Sequence, residues 1–238
     1  MTPTVAIVVP TKNRRSRLER LLESIDRLRG LRPDEVIVID GGSRDSSAEF
    51  LQEWSVRPHS FEPVVVSQTN GTGPGHARNL GLAATSADIV AFSDDDCIVD
   101  PDWLRLLVGP IDVSRRIVGT GGRVLPIGVD VISRYYAFYR ILEPPPSMLY
   151  LVTANCAYSR QEAVEVGGFD STIPTPGGED VALSIRLRRA GWTFEYVSDA
   201  LVRHEFRPDV MDFIRTFRDY GRGCRQATDR IFGRSESS

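Results

Sequence analysis

Cysteine is scarce in this chain of 238 residues, which holds only Cys97, Cys156 and Cys224. The three are widely spaced, with neither metal-ligand spacing nor a disulfide framework, so the expected setting is a reducing, cytoplasmic one. Long hydrophobic runs are also missing, and nothing approaches the roughly 20 apolar residues of a membrane-spanning helix. The opening MTPTVAIVVPTKN lacks the basic segment of a secretory signal, and its short apolar run reads as a strand. Charge of one sign is lacking too: 29 Lys and Arg against 32 Asp and Glu leave a net −3, with no overall pull toward nucleic acid. There are no internal repeats and no low-complexity tract. What is present is ordinary for a globular protein, 41% hydrophobic and 26% charged, with enough chain for a substantial core.

The first half alternates strand and helix. VAIVV (Val5–Val9) is a continuous β-branched run that predicts a strand buried on both faces. Leu18, Leu21, Leu22, Ile25 and Leu28 then fall on one helical face, with Gly30 as the expected C-cap. Further strands are expected at Glu35–Asp40, Pro63–Ser67 and Asp88–Ser93, and helices through Phe50–Trp54 and HARNLGLAATS. The glycines and proline of NGTGPG make that stretch a loop. This alternation predicts an α/β fold, a three-layer sandwich on a mostly parallel sheet. The second half is less regular. Helices are expected over VISRYYAFYRIL, over GEDVALSIRLRRAGW with Gly191 closing it, and over the basic stretch Pro208–Arg230. FEYVS and ALVRH read as two short strands. No linker separates independent domains, and the second half is expected to complete the same sheet.

One short stretch poses a chemical question. Asp94, Asp95 and Asp96 stand side by side where a buried strand ends. Neighbouring carboxylates repel, so a cation is expected there. In open α/β sheets ligands bind beyond the carboxyl ends of the strands. Val9 is followed there by Pro10, Thr11 and Asn13, Ile39 by Asp40, and Ser93 by the three aspartates. A hard divalent cation such as Mn²⁺ or Mg²⁺ takes oxygen ligands and leaves positions for water and phosphates. A D-x-D pair, Asp94 and Asp96, can hold one, although D-x-D alone also arises in solvated turns. GTGPGHARN adds backbone N–H groups around Gly75, a helix N-terminus and Arg78, all suited to phosphate, but with no GK[ST] it is not a P-loop. Neutralising one aspartate is expected to relieve repulsion, so Asp96→Asn should hold or slightly raise stability without metal.

The stretches VAIVVPTKNR, EVIVIDGGSRD, GPGHARNLGLAATSADIVAFSDDDC, VGGFD, GGEDVALSIRLRRAGW and LVRH occur in the order and spacing of the family 2 glycosyltransferases of GT-A fold, which this chain resembles from Val5 to His204. The resemblance implies an inverting, metal-dependent transfer of one sugar from a nucleotide-diphosphate sugar to an acceptor hydroxyl. It implies a domain over 1–207, with a Rossmann-like nucleotide-sugar half at 1–100 and an acceptor half at 101–207, followed by a basic helix and tail at 208–238. Carried across by motif, Pro10 and Thr11 flank the nucleobase pocket, Asp40 lies in the nucleoside site, and Arg78 meets the base or diphosphate. Asp96 is the principal metal ligand, Asp94 supports the metal or the sugar, and Asp95 lies near the ribose. His204 completes the metal or diphosphate site, and Asp180, after Glu179, is the general base. The chain departs from the family at Gly41, where a second acidic residue that often reads uracil is common, so a UDP donor is not implied.

Such chemistry needs a cation for the leaving diphosphate and a base on the opposite face of the sugar. Glu179 and Asp180, far along the chain from the three aspartates, offer that base, although acids opening a helix also stabilise its dipole. His59 and His76 read as surface or loop residues, Trp192 as core, and Asn155 as part of an acceptor-facing loop or a partner for backbone groups. Two other readings share the nucleotide site: a sugar-phosphate nucleotidyltransferase, which PTKNRR fits poorly for want of glycines, and a nucleotide-sugar-binding protein without turnover. Arg215, Arg218, Arg222 and Arg225 share one broad helical face, which is expected to serve an acceptor, glycan or lipid-linked, or peripheral contact with a membrane.

Overall fold

The computed structural model of the protein describes residues 2–68 and 73–233. Of the loop expected over Asn70–Gly75, residues 70–72 lie outside that range. The first half is built as the alternation predicts. Strands β1 (Val5–Thr11), β2 (Glu35–Asp40), β3 (Glu62–Ser67) and β4 (Ile89–Ser93) alternate with helices α1 (Arg15–Asp26), α2 (Ser47–Ser55) and α3 (Pro74–Ala84). All pair in parallel, in the order β3-β2-β1-β4. Along β1, Val5, Ile7 and Val9 pack on Leu18, Leu21 and Leu22 of α1. Ala6 and Val8 turn the other way, toward Ala77 and Leu82 of α3. Two apolar cores therefore sit on opposite faces of one sheet, which is why β1 carries no polar alternation.

The second half adds β5 (Cys97–Val99), α4 (Trp103–Val108), β6 (Ile117–Pro126), α5 (Val131–Tyr139), β7 (Asn155–Ser159), α6 (Arg160–Glu165), α7 (Glu179–Arg189), β8 (Thr193–His204) and α8 (Val210–Phe232). Among the described residues one sheet runs β3-β2-β1-β4-β7-β6-β8-β5. β7 is antiparallel to both β4 and β6, β5 is antiparallel to β8, and β6 runs parallel to β8. Parallel pairing thus holds throughout the first half, and the second half is mixed.

Three local expectations change. FEYVS and ALVRH form one strand of 12 residues, β8. Its pairing with β6 jumps from Gly122↔Val197 to Arg123↔Leu201. The extra residues, Ser198, Asp199 and Ala200, form a bulge whose polar start reads in sequence as a strand end. β6 itself, IVGTGGRVLP, was not anticipated, because three glycines argue against a strand. They are there because neighbours come close: a Cβ on Gly121 would lie 2.3 Å from Pro144 Cγ, and one on Gly122 would lie 2.3 Å from Ala200 O. Gly30 does not cap α1, which ends at Asp26 with Arg27 at the cap position. It takes its positive φ of 74° in the turn that follows. Gly191, with φ 88°, does close α7, and Trp192 N–H returns to Leu187 O.

Candidate active site

The three aspartates leave β4 at its carboxyl end, beside the ends of β1 and β2, and the chain turns at once into β5. Cys97 pairs with His204 across the β5–β8 ladder, and Glu205 N–H donates to Asp96 O at 2.9 Å. This register brings Asp96 and His204 together although they are far apart in sequence. His204 Nε2 lies 3.1 Å from Asp96 Oδ1.

The cations sought for the aspartates are largely the protein's own. Arg14 Nη1 donates to Asp95 Oδ1 at 2.8 Å and to Asp96 Oδ2 at 2.7 Å, and Arg17 Nη1 lies 3.8 Å from the same Asp96 oxygen. Thr11 Oγ1 donates to Asp95 Oδ2 at 2.8 Å. Arg78 Nη2 donates to Asp94 Oδ1 at 2.9 Å. Burial pushes the Asp95 carboxyl up to about 6 despite the pull of Arg14. Burial also opposes ionisation of Asp96, yet His204, Arg14 and Arg17 outweigh it and hold that carboxyl well below the usual range. On His204 burial works against the charge, and Asp96 wins, raising the imidazole above its ordinary value.

Arg14 and Arg17 were missed from sequence, although a signal exists. α1 opens with Arg14 as its N-cap and Arg15 and Arg17 in the first turn, with no acid there. Cations at a helix N-terminus oppose the dipole, so they call for an external partner.

On the other wall, Glu179 and Asp180 open α7 and are 2% and 7% exposed. Arg78, 4% exposed, joins this wall to the first: its Nη1 donates to Glu179 Oε1 at 2.7 Å while Nη2 holds Asp94. Burial, with the neighbouring Asp180, pushes the Glu179 carboxyl up to about 7. Asp180 is raised as well, chiefly by burial. Asp180 Oδ1 accepts from the N–H groups of Gly178 and Val181, at 3.2 and 2.8 Å.

Between the walls lies a cleft of about 720 Å³. Of the residues singled out from sequence, Pro10, Thr11, Arg78, Asp94, Asp95, Asp96, Glu179 and His204 line it. Asp40, Asn13, Gly75 and Asp180 are not on its wall. Asp40 is buried and accepts from Ser43 N–H and Oγ, closing the turn after β2. Asn13, at φ 54°, accepts from Arg44 N–H at 2.7 Å and so ties the β1 loop to that turn. Gly75 is the close approach of α3 to α7, where a Cβ would lie 2.9 Å from Asp170 O and 3.2 Å from Glu179 Cβ. Gly41 does line the cleft, and a Cβ there would already lie 3.3 Å from Thr11 O. The far wall is aromatic, with Tyr136 stacked on Phe206 at 4.0 Å and Phe206 stacked on His204 at 4.5 Å. Asn155 is on no acceptor loop. It starts β7 and is buried, accepting from Trp103 Nε1 and donating to the carbonyls of Arg123 and Ala200. His59 lies apart from the cleft, between Trp54 and Phe61.

A divalent cation fits the residues present. His204 Nδ1 is buried and makes no hydrogen bond among the described residues, and Asp96 Oδ1, also buried, meets His204 Nε2 at 3.1 Å. Atoms of Asp96, His204 and Cys97 lie within 4.8 Å of one another. Burial pushes the Cys97 thiol well above its usual range, which keeps it protonated and leaves a carboxylate oxygen and an imidazole nitrogen as donors.

A solved structure shares this fold. A mannosyltransferase from Pyrobaculum calidifontis, solved with GDP-Man and Mn²⁺, superposes with a TM-score of 0.77 at 19% identity, over 100% of this chain and 66% of that one. This likeness shows the GT-A fold. A pre-mycofactocin glycosyltransferase of Mycobacterium tuberculosis is 35% identical over 227 residues, 91% of this chain and 46% of that protein, so the chain spans about half the length of this relative. Glycosyltransferase AglE of Haloferax volcanii is 27% identical over 212 residues, 87% of this chain and 68% of that protein. Residues 6–166 match the profile of glycosyl transferase family 2, and the chain belongs to that family.

Proposed function

We propose that the protein transfers one sugar, with inversion, from a nucleotide-diphosphate sugar to an acceptor hydroxyl, with a divalent metal at Asp96 and His204. The observation that carries the reading is the pair of acidic clusters facing one cleft, Asp94–Asp96 with His204 on one wall and Glu179 on the other, with Arg78 between them. The metal supplies charge neutralisation for the departing diphosphate. Magnesium takes oxygen ligands by preference, so the imidazole favours Mn²⁺. Thr11, Lys12 and Gly41 line the cleft beside the ends of β1 and β2, the end that this reading gives to the donor. With no acid at position 41, the donor base is best sought beyond uracil.

The acidic pair opening α7 supplies the proton acceptor. The family resemblance assigns this to Asp180. A specific observation favours Glu179: it is on the cleft wall, its Oε2 is buried without a hydrogen bond among the described residues, and its carboxyl sits at about 7, where a general base works well. Release of free nucleoside diphosphate from a panel of nucleotide sugars, with and without Mn²⁺, tests the reaction. No release with any donor would overturn it, and pyrophosphate exchange instead would identify a nucleotidyltransferase. Asp180→Asn and Glu179→Gln then divide the roles. The base variant loses kcat by about a hundredfold or more with donor binding kept.

A further inference from the structure

We infer that the exposed side of α5 and the first turns of α8 form a docking surface for an anionic lipid bilayer. Val131, Arg134, Tyr135 and Phe138 recur at helical spacing on one face of α5, and all four are exposed. Val131 is 82% exposed and Phe138 80%, and Val129 just before the helix is 82%. On α8, Val210, Met211 and Ile214 are 61%, 60% and 54% exposed. Ring contacts join the two helices: Phe138 meets Tyr139 at 5.0 Å, Tyr139 meets Tyr135 at 4.6 Å, and Tyr135 meets Phe213 of α8 at 5.2 Å. Singly exposed apolar residues are normal on any protein, but a contiguous set is the mark of an interaction site.

The charges around the patch choose the occupant. Phe213, Phe217 and Tyr220 turn one side of α8 onto the domain. Its other side carries Ile214 and then Arg218, Arg222 and Arg225, all exposed. Arg134 and Arg222 make no ion pair among the described residues, and the bonds of Arg218 to Asp219 and Arg225 to Asp229 are long, at 3.4 Å, and exposed. An apolar wedge continued by a row of arginines is the pattern of a helix lying in the headgroup region of an anionic membrane. A second copy of the chain fits less well, since a two-fold contact through this face would set the arginine row against itself. α5 and α8 also line the cleft, through Tyr136 and Phe213. Docking here would place the cleft's aromatic wall next to the lipid.

The test is co-sedimentation of the whole chain with vesicles of phosphatidylcholine alone or mixed with phosphatidylglycerol. Binding to the mixed vesicles should exceed binding to phosphatidylcholine by about tenfold or more, and should fall in high salt. Phe138→Ser with Ile214→Ser, and separately Arg218→Gln with Arg222→Gln and Arg225→Gln, should each weaken it about tenfold or more. Melting curves check that these exposed changes leave the fold intact. Equal or absent binding to both vesicle types overturns the inference. So does binding unchanged in both variants, or self-association in solution that Phe138→Ser with Ile214→Ser abolishes without any lipid binding. Donor hydrolysis without vesicles should be the same in wild type and variants, and its absence in wild type would count against the transferase reading and not against docking.

Discussion

The two acidic clusters of the cleft look alike in sequence, yet Asp96 of the first is held ionised while Asp95 beside it and both carboxyls of the second are raised by burial. At β4 the aspartates are met by arginines from α1 and by His204, and Asp96 is held ionised. At α7 Glu179 and Asp180 share, among the described residues, a single nearby guanidinium, Arg78, and burial raises both carboxyls. Neighbouring carboxylates therefore do not decide their own protonation. The count of cations facing them, set against their burial, decides it. An ionised carboxylate suits a metal ligand, and a carboxyl near neutrality suits a base.

Among the described residues Arg78 is the one cation paired with both clusters, so removing it should have the largest effect. Arg78→Gln leaves the buried Glu179 and the half-buried Asp94 without this counter-ion. The expected loss is about 3–5 kcal/mol of unfolding free energy at neutral pH, measured by urea denaturation. The loss should shrink in mild acid, where Glu179 takes up a proton. A loss under about 1 kcal/mol at neutral pH would mean that the two clusters are not coupled through this residue.

Much of this was legible before the structure. Apolar β-branched runs ending in polar residues placed β1, β2 and β4, and their parallel order put Thr11 and the aspartates on one edge. β6 was hidden because its glycines answer to Pro144 and Ala200, contacts that no local pattern reports. Asn155 looks like a loop residue in TANCAY, and only the pairing of β7 reveals that it satisfies buried backbone carbonyls. Of the two acids in the ED pair, the family resemblance points to Asp180, and in the structure Glu179 lines the cleft beside the turn at Gly178. Which acid reaches the wall depends on backbone geometry at two glycines with positive φ, Gly177 and Gly178, against which Gly223 of α8 packs.

Glu179→Gln sharpens the comparison through pH. The folded carboxyl sits at about 7 and the free one near 4.5. Between those values the folded chain keeps a proton that the unfolded chain has lost, so this group makes stability fall as pH rises from about 4.5 to 7. Below that window it contributes no slope. The glutamine variant lacks the slope, so it should gain on wild type across the window by on the order of 3 kcal/mol. Denaturation in EDTA at several pH values measures it. Parallel curves for the two proteins would show that Glu179 ionises at its ordinary value.

The smallest effect expected is at Asp96, and here the structure reverses the sign that three adjacent aspartates suggest. If repulsion ruled the cluster, Asp96→Asn would hold or raise stability without metal. Arg14, Arg17 and His204 all face this carboxylate, so the neutral side chain removes attraction from three groups. The cost is softened because each has a recourse: Arg14 keeps Asp95, Arg17 keeps Glu205, and His204 can lose its proton. A loss of about 1 kcal/mol in EDTA is expected. Mn²⁺ adds a second comparison, since a cation bound only by the folded state raises its melting temperature. Wild type should gain in Mn²⁺, and Asp96→Asn should gain little or nothing. A variant as stable as wild type in EDTA would restore repulsion as the ruling term. An equal Mn²⁺ shift in both proteins would move the metal away from Asp96.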